Sequence, residues 1–217
     1  MRLAKDKTLS VKAPMIRAIL DGSKTEHRIV LNPQPHYKFG AWWWNKHGSV
    51  YAIPREGNLD NTLLGIWDAC PYHVGDRLWV RETWAYINNY DIDGSQNYYE
   101  YKADKPNDLY PGDWPADEAR GNDEAPKWRT SIHMPREASR ITLEITAVSV
   151  QRLNAISPEE VRKEGHQLTG EIFLSPQEEG PVLLDKFARL WDRYAKRGYT
   201  WETNPWCWCI TFKVVKE

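Results

Sequence analysis

A strict alternation of apolar and polar positions begins after the turn at Gly75-Asp76. Leu78 and Val80 share one face of the predicted strand with Glu82, because side chains two residues apart point the same way. The apolar pair marks this face as the inner one, so Glu82 is predicted to point inward. A buried carboxylate is costly unless cations or several donors meet it. We therefore expect Glu82 to lie at a wet rim or to have a partner from another segment.

A short amphipathic helix is predicted near the N-terminus. Pro14 suits its first turn, Gly22 suits the left-handed conformation at its end, and four apolar residues follow helical spacing: Met15, Ile16, Ile19 and Leu20. The loop after the helix carries Lys24 and Arg28, which suit the negative end of the helix dipole. We expect this loop to meet Glu82 and to form the functional pocket with it. The alternative is that both cations cap the helix and stay solvated.

Strands are predicted in several other segments. Residues 41–53 favour a β-hairpin that begins with three consecutive Trp, and residues 98–103 favour a return strand. In residues 140–153 the apolar positions change phase near Thr146-Ala147, which predicts a bulge or sharp coil of the kind that turns barrel corners. Cys207 and Cys209 share one face of the last strand, and we interpret them as buried thiols rather than metal ligands.

Two more helices are predicted in the C-terminal part of the chain. Ser157-Pro158-Glu159-Glu160 is a typical helix start, and that helix is expected to end near Gly165. Residues 183–194 carry an apolar stripe at helical spacing, with Gly198 as the expected end. The strands and helices do not alternate regularly. The predicted fold class is therefore α+β.

Composition narrows the possible functions. A net charge of −1 gives no general basic excess for binding duplex nucleic acid, and three cysteines argue against a disulfide framework. No apolar run approaches membrane-spanning length, and the N-terminus does not resemble a signal peptide, so we expect a cytoplasmic protein without membrane partners. The chain contains twelve Trp, which suit stacking sites as well as cores.

The densest basic and aromatic stretch is residues 127–136, immediately before the long predicted strand. It contains Trp128, Ser131, His133 and Arg136, side chains that suit contacts with phosphates and bases. His133 is a candidate base. The alternative is an ordinary loop histidine that is hydrogen-bonded to the backbone.

Three blocks of sequence, residues 14–25, 75–84 and 131–141, resemble the ASCH-domain family in the expected order. The resemblance is greatest to the larger members found in phages and prophages, and it covers most of the chain. It implies a single PUA-like domain over residues 1–217, a small β-barrel with flanking helices. Variable insertions would fall at about residues 36–73, 87–126 and 166–180.

The resemblance also implies a cleft that binds RNA or nucleotides. Lys24 matches the lysine of the family's Gly-x-Lys motif, and Glu82 matches the acidic residue of its Arg-Glu strand. Some small members are amidohydrolases that deacylate acetylated cytidine with a Lys, a Thr three residues later and a Glu. The position of that Thr is occupied here by His27, while Thr25 lies one residue after the lysine.

The leading hypothesis is binding of RNA, a nucleotide or a modified nucleobase without a cofactor or metal. Its predicted contacts are Lys24, Arg28, Glu82, Trp84, Trp128, Ser131, Arg136 and Arg140. The alternative is an amidohydrolase acting on acylated cytidine, or a ribonuclease, with the catalytic candidates Lys24, Glu82, Thr25 and His133. A further alternative is a protein-interaction module in which the Trp42–Trp44 hairpin docks an unidentified partner.

Overall fold

The structure is a computed structural model that describes residues 6–38, 41–46, 49–53, 70–87, 97–105, 126–167 and 175–215. Its fold is α+β, as predicted. In chain order the described elements are β1 (Asp6–Ser10), α1 (Ala13–Leu20), β2 (Glu26–Val30), β3 (His36–Lys38), β4 (Ala41–Lys46), β5 (Ser49–Ile53), β6 (Arg77–Arg81), β7 (Trp84–Ile87), β8 (Tyr98–Tyr101), β9 (Thr142–Arg152), α2 (Pro158–Lys163), α3 (Pro176–Tyr194) and β10 (Trp206–Val215).

The chain forms two compact units. The first unit collects residues 1–22, 76–144 and 214–217, and the second unit collects residues 23–75 and 145–213. Strand β9 therefore belongs to both units, with its first three residues in the first. The prediction of a single ASCH-type domain with three insertions stays a prediction.

In the first unit, β6 lies between β1 and the beginning of β9. It pairs with β1 in parallel and with residues 142–144 of β9 in antiparallel orientation. Leu78 and Val80 are buried, whereas their neighbours on β6 are at least partly exposed, so the predicted alternation is confirmed. Strands β7 and β8 form the predicted hairpin with its return strand.

In the second unit, β10 lies between β9 and β2 and is buried on both faces. Trp206 and Trp208 join one apolar cluster with Leu31, while Cys207 joins a second cluster with residues of α2 and α3. This arrangement explains why residues 206–210 are all apolar or thiol side chains. Both cysteines are free and buried, which confirms the interpretation of them as buried thiols.

Local patterns predicted most element boundaries. Gly22 has a φ of +82°, and Ser157 begins α2 with the predicted capping box. Thr146 and Ala147 are both exposed, at the point where the apolar positions of β9 change phase, and the bulge expected there stays a prediction. Helix α3 ends at Tyr194 rather than at Gly198. Strands β4 and β5 form the predicted hairpin, but the side chains of Trp42–Trp44 lie outside the described residues.

Among the described residues, no helix is both long enough and apolar enough to span a membrane.

Candidate functional site

Glu82 points inward as predicted and is only 2% exposed. Its two carboxylate oxygens accept hydrogen bonds from Arg140 Nε at 3.0 Å and from Arg140 Nη2 at 3.2 Å. This two-point contact is the strong form of a guanidinium–carboxylate pair. The cation opposite Glu82 is therefore Arg140. The prediction that the loop carrying Lys24 and Arg28 supplies it is wrong.

Arg140 is committed to the same internal network. It donates to both carboxylate oxygens of Asp104, at 2.6 and 2.9 Å, and its guanidinium lies 4.0 Å from the ring centroid of Tyr101. Burial raises the pKa of Glu82, although the pairing with Arg140 opposes this shift. Each charged group in this network already has a partner. Glu82 and Arg140 therefore hold neighbouring segments together, and few of their donors and acceptors are left for a ligand.

Lys24 lies in the second unit and is 1% exposed. Its Nζ donates to the carbonyl oxygens of Glu26 and Glu164, at 2.6 and 3.0 Å, and to Glu164 Oε2 at 2.5 Å. An ammonium group has three N–H donors, and here all three are used. Lys24 is thus neither the predicted ligand contact nor the solvated helix cap of the alternative interpretation. It is a buried structural cation.

Glu164 is the buried carboxylate on which the cations of this unit converge. Its Oε1 lies 3.2 Å from Arg28 Nη1, and its Oε2 lies 3.7 Å from His27 Nδ1. Burial alone would raise the pKa of Glu164, but Lys24, His27 and Arg28 outweigh it and hold the pKa far below its ordinary value of 4.5. Glu164 was not among the predicted residues, because it directly follows a short helix that contains other acids.

Arg28 is also held within the second unit. Its Nη2 lies 3.3 Å from Glu160 Oε1 and donates to Gln151 Oε1 at 3.3 Å. Since its guanidinium meets three carboxylates and an amide, the predicted role of Arg28 as a phosphate contact has no support from its position. Strand β2 places it there because Arg28 pairs in register with the buried Cys209.

His27 and Thr25 are the half-buried groups beside this network. The side chain of His27 is 17% exposed, and its Nδ1 has no hydrogen-bond partner among the described residues. Burial lowers the pKa of His27, which favours the neutral imidazole. The backbone of Thr25 bonds to Lys163 O and to Phe212 N, which fixes the loop but leaves Thr25 no catalytic contact among those described.

The predicted basic and aromatic stretch forms cation–aromatic pairs in the first unit. We call residues 127–140 the basic segment. Arg129 lies 5.1 Å from the ring centroid of Trp84, and Lys102 lies 5.3 Å from that of Trp128. Arg136 lies 5.8 Å from the ring of Trp79. Such pairs attract through the ring quadrupole and keep the cation at the protein surface.

The remaining predicted contacts differ in their exposure. Arg136 and His133 are exposed, and Trp128 and Ser131 are half-buried, so all four are open to solvent. Trp84 is 4% exposed and packs with Met134 and Ala138, which corrects its predicted role as a stacking surface.

Trp79 and Arg81 were not among the predicted contacts. They occupy the positions of β6 that alternate with the buried ones, so the same pattern that predicted an inward Glu82 placed them on the opposite face. Their half-buried side chains lie close together, with 5.7 Å between the Arg81 guanidinium and the Trp79 ring centroid.

No family model, curated protein or solved structure matches this chain. Within the described residues, no group of three or more His, Cys, Asp or Glu side chains is arranged to hold a metal ion.

Proposed function

We propose that the protein binds RNA or a nucleotide in the cytoplasm through the basic segment of its first unit. One observation carries this proposal. Lys24 and Arg28 are buried against carboxylates, and Arg140 is held by two of them, whereas Arg136 is exposed beside an aromatic ring. Exposed cations next to rings contact a phosphate backbone and its bases together. The ASCH resemblance and a PUA-like barrel are part of the same proposal.

Charge supports a local binding surface. The whole chain has a net charge of −1, but the basic segment contains one acid and four Lys or Arg residues, of which Arg140 is held by Glu82 and Asp104. Because phosphate contacts release counterions, binding to such a surface weakens as salt concentration rises. A protein with this charge distribution is expected to bind a short strand rather than to coat a long duplex.

Fluorescence anisotropy with a labelled twelve-nucleotide oligouridine, measured at several salt concentrations, tests the proposal. Arg129 and Arg136 are both exposed, and removing one phosphate contact to a single strand reduces the slope of log K against log salt by about 0.7. We expect the Arg129→Gln/Arg136→Gln variant to bind more weakly with a shallower slope. Arg193→Gln removes an exposed charge from the second unit and is the matched control.

The proposal fails if wild-type protein shows no saturable binding at low salt. It also fails if the double variant keeps the wild-type affinity and slope.

The second candidate function is hydrolysis of acylated cytidine. One observation favours it: Lys24 and His27, the residue three positions later, both lie against the carboxylate of Glu164. In this version Glu164 takes the role predicted for Glu82. A neutral imidazole next to a carboxylate can accept a proton from an attacking water, which is the usual role of a general base.

Chromatography of N4-acetylcytidine incubated with the protein tests this second function. If His27 is the base, wild type releases cytidine and acetate, and His27→Gln loses activity by about 100-fold or more. Absence of turnover by folded wild-type protein would eliminate the hydrolase and leave the binding function standing.

A further inference from the structure

We propose that Trp79 is a stacking platform for an unpaired base of a single-stranded nucleic acid, with Arg81 and Arg136 contacting the phosphates on either side. This inference rests on the proposed function and names the aromatic ring on which a base would stack. It adds Trp79 and Arg81 to the binding surface.

The backbone of β6 directs these side chains outward. Leu78 and Val80 face the interior and are at most 1% exposed, so Arg77, Trp79 and Arg81 share the opposite face. Alternate residues of a strand lie about 7 Å apart. Along the strand the ring of Trp79 therefore lies between Arg77 and Arg81, and Arg136 of the basic segment approaches it as a third cation.

The neighbouring strands leave this face polar. Thr8 of β1 and Thr142 of β9 pair in register with Trp79. Thr8 is exposed, as are the next outward residues of β1, Asp6 and Ser10. Thr142 is buried, whereas part of the Trp79 indole is exposed. That exposed part, set among hydroxyl and guanidinium groups, is suited to contact with another flat ring.

Two arginines are held in place beside the ring. Arg136 Nη2 donates to Thr142 Oγ1 at 3.3 Å, and Arg81 Nη1 donates to the carbonyl oxygen of Ile132 at 3.4 Å. Arg81 Nε has no hydrogen-bond partner among the described residues. Both guanidinium groups lie less than 6 Å from the ring centroid of Trp79. The ring and its cations are thus positioned before any ligand arrives.

Charge complementarity determines the kind of ligand. The acids on this face, Asp6 and Glu144, both pair in register with Arg77, whereas the guanidinium groups of Arg81 and Arg136 lie within 6 Å of the Trp79 ring centroid. Two cations around one ring match a phosphate–base–phosphate unit. The ring can meet a base only when the base is unpaired, so a single strand fits and a duplex does not.

The test compares labelled oligouridine of twelve nucleotides with an RNA duplex of the same length. Removal of one stacking ring weakens single-strand binding by roughly 5- to 150-fold. We expect this loss in Trp79→Thr, a substitution suited to a strand, while Trp79→Phe keeps most of the affinity. Duplex binding should change little in either variant. Trp191→Phe, in the second unit, is the control for loss of an indole.

The outcomes separate the two proposals. If wild type and Trp79→Thr bind oligouridine equally well, the stacking role is wrong and the proposed function stands. If wild type does not bind oligouridine at all, the proposed function itself is overturned.

A measurement on the wild-type chain does not depend on the folding of a variant. Ultraviolet cross-linking of an oligomer that contains 5-bromouridine should yield its main adduct on the peptide with Trp79. An adduct confined to peptides that lack β6 would overturn the stacking role.

Discussion

At the residue scale, the inward carboxylate was predictable and its partner was not. The alternation around Leu78 and Val80 requires Glu82 to point inward, because the strand period is two. Arg140 lies 58 positions further along the chain, and no local pattern connects it to Glu82. Lys24 and Glu164 are 140 positions apart, so the same argument applies to them. Tertiary packing determines which buried charges meet, and the spacing of residues along the chain does not indicate these contacts.

Substitution of Glu82 should affect stability and leave ligand binding unchanged. Glu82→Gln weakens two charged hydrogen bonds to Arg140, while Arg140 keeps its contacts to Asp104. We expect the free energy of unfolding to fall by about 1.5–3 kcal/mol in urea denaturation. Oligouridine affinity of the folded variant should match that of wild type. A clear loss of affinity would place Glu82 in the binding site after all.

The buried Glu164 network should make the protein sensitive to acid. The pKa of Glu164 is lowered on folding, so its contribution is fully present above its ordinary value of 4.5 and is lost as the pH falls below that value. In Glu164→Gln the free energy of unfolding at pH 7 should drop by about 3–5 kcal/mol, since Lys24 is left buried without its anion. The variant should also lose less stability than wild type between about pH 5 and pH 3.

Urea denaturation of wild type and Glu164→Gln at a series of pH values measures both effects. Equal pH dependence in the two proteins would show that Glu164 is not the anion on which the network depends.

At the scale of elements, the start of a helix was easier to predict than its end. Ser157 begins α2 through local contacts: its hydroxyl accepts from Glu160 N at 3.2 Å, and Glu160 Oε2 accepts from Ser157 N at 2.7 Å. Both contacts span three residues and are therefore visible in the sequence. Helix α3 ends four residues before the glycine that was predicted to end it.

The early end of α3 has a tertiary cause. Asp192 accepts a hydrogen bond from Trp201 N at 2.6 Å, and Trp191 Nε1 donates to Tyr199 O at 2.8 Å. These contacts fold the following loop back on the last helical turn, and Ala195 is already extended. The side chains involved lie eight and nine positions from their partners, beyond the range of a capping pattern.

The cap of α2 offers a test at the same scale. Ser157→Ala removes the hydroxyl acceptor, and we expect it to cost about 1 kcal/mol of stability. Ser157→Asp keeps an acceptor and should stay close to wild type. Thermal unfolding of the three proteins measures the difference. Equal stability of Ser157→Ala and wild type would show that the cap contributes nothing to the unit.

At the scale of the whole molecule, the two units draw on segments that are distant along the chain. Residues 1–22 join residues 76–144 in the first unit, whereas residues 23–75 join residues 145–213 in the second. Composition and periodicity identified the α+β class but could not assign Lys24 and Glu82 to different units. Residues 127–136 stand out in the sequence as the densest run of cations and rings, because that property is local, and their role in binding stays a prediction.

The central claim is that the first unit binds single-stranded RNA, whereas the buried charges of the second unit stabilise the second unit itself. Hydrogen–deuterium exchange of wild-type protein, with and without saturating oligouridine, tests it most directly. We predict added protection in peptides covering residues 127–140 and 77–84, with no change in residues 158–167. Protection confined to residues 23–30 and 158–167 would contradict the claim, because it would place the ligand at the Glu164 network.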